Sequence, residues 1–234
     1  MKKLLYIFLG LSLIFGCSDD SSDDNNDNNE PSNCDIVYLD DNGVTIKACP
    51  DSAIGMFGEV NGLTYEIIDI ATLKSMMENN EDLTLVCTSK ITDLSMETNE
   101  IFNSSFNQDI GSWDVSKVSN IDHIFLGATA FNQNIGSWDV SSVTSLMRGI
   151  FNGATAFNQN IGSWDVSNVT DMEDMFRSAT AFNQDIGSWD VSNVTTMTTM
   201  FSGASSFNQN IGSWNVSNVT NMRDMFKGET LSTA

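Results

Sequence analysis

The chain has 234 residues and a formal net charge of −21, or −23 without Lys2 and Lys3. Such an acidic balance argues against nucleic acid, whose phosphates need Lys and Arg to displace counterions. It argues equally against an electrostatic grip on anionic lipid, and it fits a soluble, self-repelling surface molecule.

Met1-Lys2-Lys3 is a basic start, and Leu4 to Phe15 is apolar apart from Gly10 and Ser12. The run is too short to span a bilayer as a helix, which takes about 20 residues. A basic start and a short apolar run predict a secretory signal peptide over 1–16. The run closes on Leu13-Ile14-Phe15-Gly16-Cys17, with Ile three places before Cys and Gly directly before it. This resembles a bacterial lipobox, which implies cleavage between Gly16 and Cys17 and acylation of Cys17; Phe15 departs from the small residue usual there. Ser18 to Glu30 holds no apolar residue and six acidic ones. It cannot bury surface to offset its ordering entropy, so 17–33 is expected to be a lipidated Cys and a disordered tether. Ser18-Asp19-Asp20 resembles the export signal of Bacteroidetes surface lipoproteins, which implies an outer-membrane lipoprotein facing the exterior.

Cys34, Cys49 and Cys87 remain. In an exported protein two can pair; Cys34 with Cys49 is the local choice, and three unpaired thiols are the alternative. Residues 34–82 show no repeat and are expected to cap the repetitive part of the chain. Asp40-Asp41-Asn42-Gly43 and Asn61-Gly62 are hairpin signals between strands expected at Ile36–Leu39, Val44–Ala48, Phe57–Val60 and Thr64–Ile68. Ile70 to Asn79 reads as a helix.

From residue 83 to 230 the chain repeats itself in about six coils, the first and last irregular. Phe106-Asn107-Gln108 recurs at Phe131, Phe157, Phe182 and Phe207, and Trp113 recurs at Trp138, Trp164, Trp189 and Trp214. The steps are 25, 26, 25 and 25 residues. A period in this range marks a solenoid or a propeller, and 25 residues is too short for a four-stranded blade. The expected fold is therefore an α/β solenoid, with one short strand and one short helix in each coil. Trp164-Asp165-Val166 alternates as a strand does. Val169, Met172, Met175 and Phe176 fall on one face of a short helix, with Thr170 and Glu173 spaced as a capping box. Gly127, Gly153 and Gly203, with Ser178 in one coil, fall where that helix should stop. Ile-Gly-Ser ahead of each Trp supplies a corner through the freedom of Gly. Stacking then sets like residues on like at about 4.8 Å. The five tryptophans are expected to form one ladder. Asn107, Asn132, Asn158, Asn183 and Asn208 are expected to form another, internal one. The extra residue near 144–151 predicts a local bulge. Thr88 to Leu94 matches Val115 to Ile121 as a degenerate first coil, with Val86 at the Trp position and Cys87 at the Asp position.

If Trp and Val point inward, the residue between them points out. Asp114, Asp139, Asp165, Asp190 and Asn215 then form a stripe that is a candidate binding surface for a basic or polyhydroxylated partner. The competing structural role for each Asp is a local corner hydrogen bond. Asn168, Asn193 and Asn218 match an Asn-x-Thr acceptor pattern but are read as turns into the helical segment. No Ser-His-Asp set, phosphate loop or metal-spaced Cys/His cluster is present, and the single histidine, His123, is read as surface. No catalysis, metal or cofactor is expected. The last coil stops at Phe226-Lys227-Gly228 without a polar cap, an edge open to self-association.

The clearest repeat, Phe182 to Phe201, resembles the BspA-like leucine-rich-repeat surface proteins, in particular their Mycoplasma-type lipoprotein repeat. The resemblance covers about residues 83–228. It implies a right-handed leucine-rich-repeat-like coil and a cell-surface role in adhesion or protein–protein contact. The partner would be a protein or a surface glycan, with the membrane touched only through the lipid anchor. The alternatives are a self-associating surface scaffold and, more remotely, a glycan-binding accessory protein.

Overall fold

The computed structural model describes residues 34–95 and 104–228. The expected signal peptide, Gly16, Cys17 and the acidic tether lie outside the described residues. Among the described residues no helix is long and apolar enough to cross a membrane.

The N-terminal part is two small sheets and a helix. Strands β1 (Val37–Leu39) and β2 (Ile46–Ala48) pair antiparallel. Strands β3 (Phe57–Val60) and β4 (Leu63–Ile67) form a second hairpin through Asn61-Gly62, both at positive φ. These match the expected strands to within two residues. Cys34 and Cys49 are disulfide-bonded, which ties the start of this segment to the end of β2, and Cys87 is a buried free thiol. Helix α1 (Ile70–Glu78) starts where the Asp69 carboxylate accepts the Thr72 N–H at 2.8 Å, an N-cap.

Strand β5 (Val86–Cys87) pairs parallel with β4, and it is the degenerate first coil. The cap is therefore stitched to the repeats by the repeat's own backbone. Two cores result. One lies between the small sheets and holds Val37, Ile46, Tyr65, Ile67 and Cys87. The other runs from Ile68 and Leu73 through every coil to Met225.

Each coil lays its apolar residues on those of the next. Phe106, Phe131, Phe157, Phe182 and Phe207 stack with ring centroids 5.8–6.1 Å apart. Phe125, Phe151, Phe176, Phe201 and Phe226 form a second column at 5.5–5.6 Å. The columns touch ring to ring at 3.9–4.1 Å. Trp113 stacks on Trp138 at 6.2 Å and Trp189 on Trp214 at 6.5 Å. From Trp138 onward, each indole N–H donates to an Ile carbonyl of the coil before, as Trp164 Nε1 does to Ile135 O at 3.1 Å. The buried indoles thus satisfy their one donor.

The repeats differ from expectation in secondary structure. The short strand at the Trp position is present in the degenerate first coil as β5 and absent from the described regular coils, which also lack the short helix and are built of turns and parallel bridges. The backbone N–H groups explain this. Those of Met172, Asp174, Phe176 and Ser178 donate to the next coil, at Thr196, Thr198, Met200 and Ser202. Those of Met175, Arg177 and Ala179 close turns within the coil. Alternation of this kind is incompatible with a helix, which directs every N–H inside. It is enforced by a left-handed residue in mid-segment, at His123, Gly149, Asp174, Thr199 and Asp224, with φ of 53–59°. The 3-3-1 apolar spacing is met by turns. A second left-handed position closes the segment at Gly127, Gly153, Ser178, Gly203 and Gly228. The extra residue of the coil beginning at Phe131 is taken up as a bend at Ser145, and the ladder resumes at the Leu146–Asp171 bridge.

The corner glycine has a reason other than a tight turn. A Cβ on Gly111, Gly136, Gly162 or Gly187 would stand 2.5–2.7 Å from a carbonyl oxygen of the next coil. The corner is glycine because the coils approach too closely there for a side chain.

Candidate functional site

The aspartate stripe is built at the corner after each Trp. In every coil the side-chain Oδ1 accepts the N–H of the Ser two places on. These pairs are Asp114–Ser116, Asp139–Ser141, Asp165–Ser167, Asp190–Ser192 and Asn215–Ser217, at 3.0–3.2 Å. The local role is thus fulfilled in all five. Asp139, Asp165, Asp190 and Asn215 are exposed. Hydrogen bonds from Ser167 and Ser192 hold the Asp165 and Asp190 carboxyls below the usual range, and the charge of Asp190 opposes this at Asp165.

Asp114 does not belong to the exposed stripe. It is 3% exposed, and Ser89 Oγ donates to its Oδ2 at 2.5 Å while also accepting the Ala48 N–H. The hairpin of β1 and β2 covers this position. A stripe of five residues becomes an open column of three carboxylates and one amide.

The asparagine ladder exists but lies on the surface. The Oδ1 of Asn107 accepts the backbone N–H of Asn132 at 2.9 Å and the Gln133 amide at 3.0 Å, and the pattern recurs through Asn158, Asn183 and Asn208. The Gln amide, not a second Asn amide, completes each rung. The interior is instead filled by the two Phe columns.

Three further polar ladders join the coils. Asn168, Asn193 and Asn218 donate their amides to Ser141, Ser167 and Ser192 carbonyls, which assigns the Asn-x-Thr triplets a structural use. Thr170, Thr195 and Thr220 hydroxyls donate to Ser145, Thr170 and Thr195 carbonyls. Ser137, Ser163, Ser188 and Ser213 donate to the corner glycine carbonyls of the coil before. Their common sequence signal is a polar residue type held fixed at one coil position.

The turn segment is where the coils differ. Its second position carries Asp122, Arg148, Glu173, Thr198 and Arg223 in turn. Asp122 is 5% exposed and is held by the next coil, with Arg148 Nη2 at 2.8 Å, Nε at 3.0 Å and its backbone N–H at 2.9 Å. The hydrogen bond to Asp122 pushes the Arg148 guanidinium further up. Beside it, burial raises the Asp171 carboxyl despite a hydrogen bond from the Glu173 N–H and the charge of Arg148. Among the described residues no group of three His, Cys, Asp or Glu side chains could hold a metal ion.

A family model described as "Mycoplasma protein of unknown function, DUF285" matches residues 68–161 and again residues 142–233. No curated protein and no solved structure matches the chain.

Proposed function

Starting from the premise that the chain belongs to the DUF285 family, we propose that it is a non-catalytic surface lipoprotein. On this reading it is anchored through Cys17 and displayed on a Bacteroidetes-type outer membrane. A right-handed repeat solenoid of the BspA-like type then serves as a protein-binding or adhesive face. The lipobox-like Leu13-Ile14-Phe15-Gly16-Cys17 and the acidic segment after it support the anchor. One observation carries the binding role: Asp139, Asp165 and Asp190 recur at one coil position, all exposed. Their Oδ1 atoms are committed to the corner, which fixes each carboxylate in place, and their Oδ2 atoms have no partner among the described residues. Like charges in register are unfavourable without a compensating partner.

The test is a Cys17-anchored chain displayed on cells and scored for adhesion to immobilised basic matrix proteins. Asp139→Asn, Asp165→Asn and Asp190→Asn together keep the corner acceptor, as Asn215 does, and should abolish adhesion without lowering the thermal midpoint by more than surface changes do. Adhesion that survives the triple change sinks the reading.

A second reading, self-association, is favoured by the coil at 207–228. Val216 and Met222 are each 40% exposed, whereas Val191 and Met197 one coil earlier are 1% and 0%. Solution size that depends on Met222 would favour it.

A further inference from the structure

We propose that the groove between the N-terminal hairpins and the first two regular coils binds a neutral polyhydroxylated ligand, a sugar unit. The site is distinct from the carboxylate column.

The groove encloses about 390 Å³, within the range of small-molecule sites. One wall is aliphatic, with Val44 from the β1–β2 turn and Leu63 from β4, 43% and 49% exposed. The opposite wall is the polar corner of the coils, with Asp109 from one and Asn134 from the next. The Ile46 N–H donates to Ser112 O, which seats the β1–β2 hairpin against the first regular coil.

Tyr65 lines the groove and is only 7% exposed, yet its hydroxyl has no hydrogen-bond partner among the described residues. Buried phenols are almost always hydrogen-bonded. The ring packs in the core with Val37, Ile46 and Ile67, which leaves the groove as the side on which the hydroxyl can be satisfied. Burial also raises its pKa, so it stays a neutral donor.

The remaining polar atoms choose the ligand. Asp109 Oδ1 accepts the Gly111 N–H and Asn134 Oδ1 the Gly136 N–H. Asp109 Oδ2 and the Asn134 amide hydrogens have no partner among the described residues. The groove thus offers one exposed acceptor, Asp109, one exposed donor, Asn134, and one buried hydroxyl, Tyr65, that needs a partner. An ammonium group donates only and would leave both donors unmet. An anion would meet Asp109 and the strongly acidic chain. A hydroxyl both donates and accepts, and adjacent hydroxyls on a ring satisfy the set while the ring's C–H face lies on Val44 and Leu63.

Saturation-transfer NMR on the full chain tests this. The probes are glucose, galactose, mannose and N-acetylglucosamine, with methylammonium as the cationic competitor. At least one sugar should receive saturation and methylammonium should not. Tyr65→Phe removes a hydroxyl the protein does not use, so the thermal midpoint should hold or rise while affinity falls about tenfold. Asp109→Asn keeps the corner acceptor, as Asn134 and Asn160 do in later coils, and should weaken binding by a similar factor. Binding by none of the sugars, binding untouched by both substitutions, or preference for methylammonium would overturn the proposal.

Discussion

The imidazole of His123 occupies the space that a side chain on Gly149 would need. A Cβ built on Gly149 would clash with His123 Cδ2 and stand 2.8 Å from Nε2, and Gly149 itself is at φ +54°. The two residues hold the same position in successive coils, so one coil's side chain dictates the absence of the next. Further along, Asp174 follows Gly149 in that column and carries its side chain at φ 57°.

Gly149→Ala should therefore destabilise by about 2–4 kcal/mol, combining left-handed backbone strain with overpacking. Adding His123→Ala should recover the packing part and leave about 1–2 kcal/mol of backbone cost. Denaturant melts of the two single variants and the double give the coupling directly. Additive effects would mean that the ring and the glycine do not meet.

The ion pair across the same two coils makes a second case. Arg148→Ala leaves the buried Asp122 carboxylate without its guanidinium. Breaking a fully buried pair costs about 3–5 kcal/mol, and Arg148 is 40% exposed on its side chain, so about 1–3 kcal/mol is expected. Arg148→Lys should restore only part, because one ammonium cannot reproduce the contacts of Nε and Nη2. The midpoint in urea measures both.

What could be read from the sequence was what recurs as residue type. Phe131, Phe157 and Phe182 announce their column because the same ring returns at each step. What escaped is what recurs as backbone conformation under changing residues: His123, Gly149, Asp174 and Thr199 share one φ and no chemistry, so the segment read as a helix. The apolar spacing of Val169, Met172, Met175 and Phe176 serves a turn as well as a helix, because both present an inward face. The groove was equally hidden, since it joins Val44 and Leu63 to Asp109 and Asn134, which no local pattern links. Asp114 departs from its stripe because its burial depends on a hairpin more than 60 residues earlier.

The Phe columns predict a gradient of sensitivity. Phe176 stacks on Phe151, Phe182 and Phe201, with Trp189 at 6.3 Å. Phe176→Ala should cost about 3–5 kcal/mol. Phe226 is half-buried and has Phe201 on one side only; Phe226→Ala should cost about 1–2 kcal/mol. Equal losses in thermal melts would contradict stacked coils with one open face.

Asp171 gives a pH dependence of defined sign. Its folded pKa is raised by burial, so the folded state binds more protons than the unfolded one. Stability therefore falls as pH rises from the ordinary carboxylate range through the raised value. Asp171→Asn removes that loss while keeping the acceptor for the Glu173 N–H, as Asn120 and Asn221 do for Asp122 and Arg223. The variant should melt higher than the parent at pH 7, and the difference should shrink below pH 4. A lower melting point at pH 7 would show that the charge of Arg148 outweighs the burial.

Ser178 interrupts a column that is otherwise glycine, at Gly127, Gly153, Gly203 and Gly228, and it adopts their left-handed conformation at φ 57°. A residue with a Cβ is strained there by about 1–2 kcal/mol. Ser178→Gly removes the strain but enlarges the freedom of the unfolded chain, so a net gain of about 0.5–1 kcal/mol is expected. The Ser178 hydroxyl has no hydrogen-bond partner among the described residues, so nothing is lost with it, and its N–H to Ser202 O bond at 2.8 Å is retained. Chemical denaturation of the single variant checks this. A destabilised Ser178→Gly would mean that the position is held by its side chain and not by the turn.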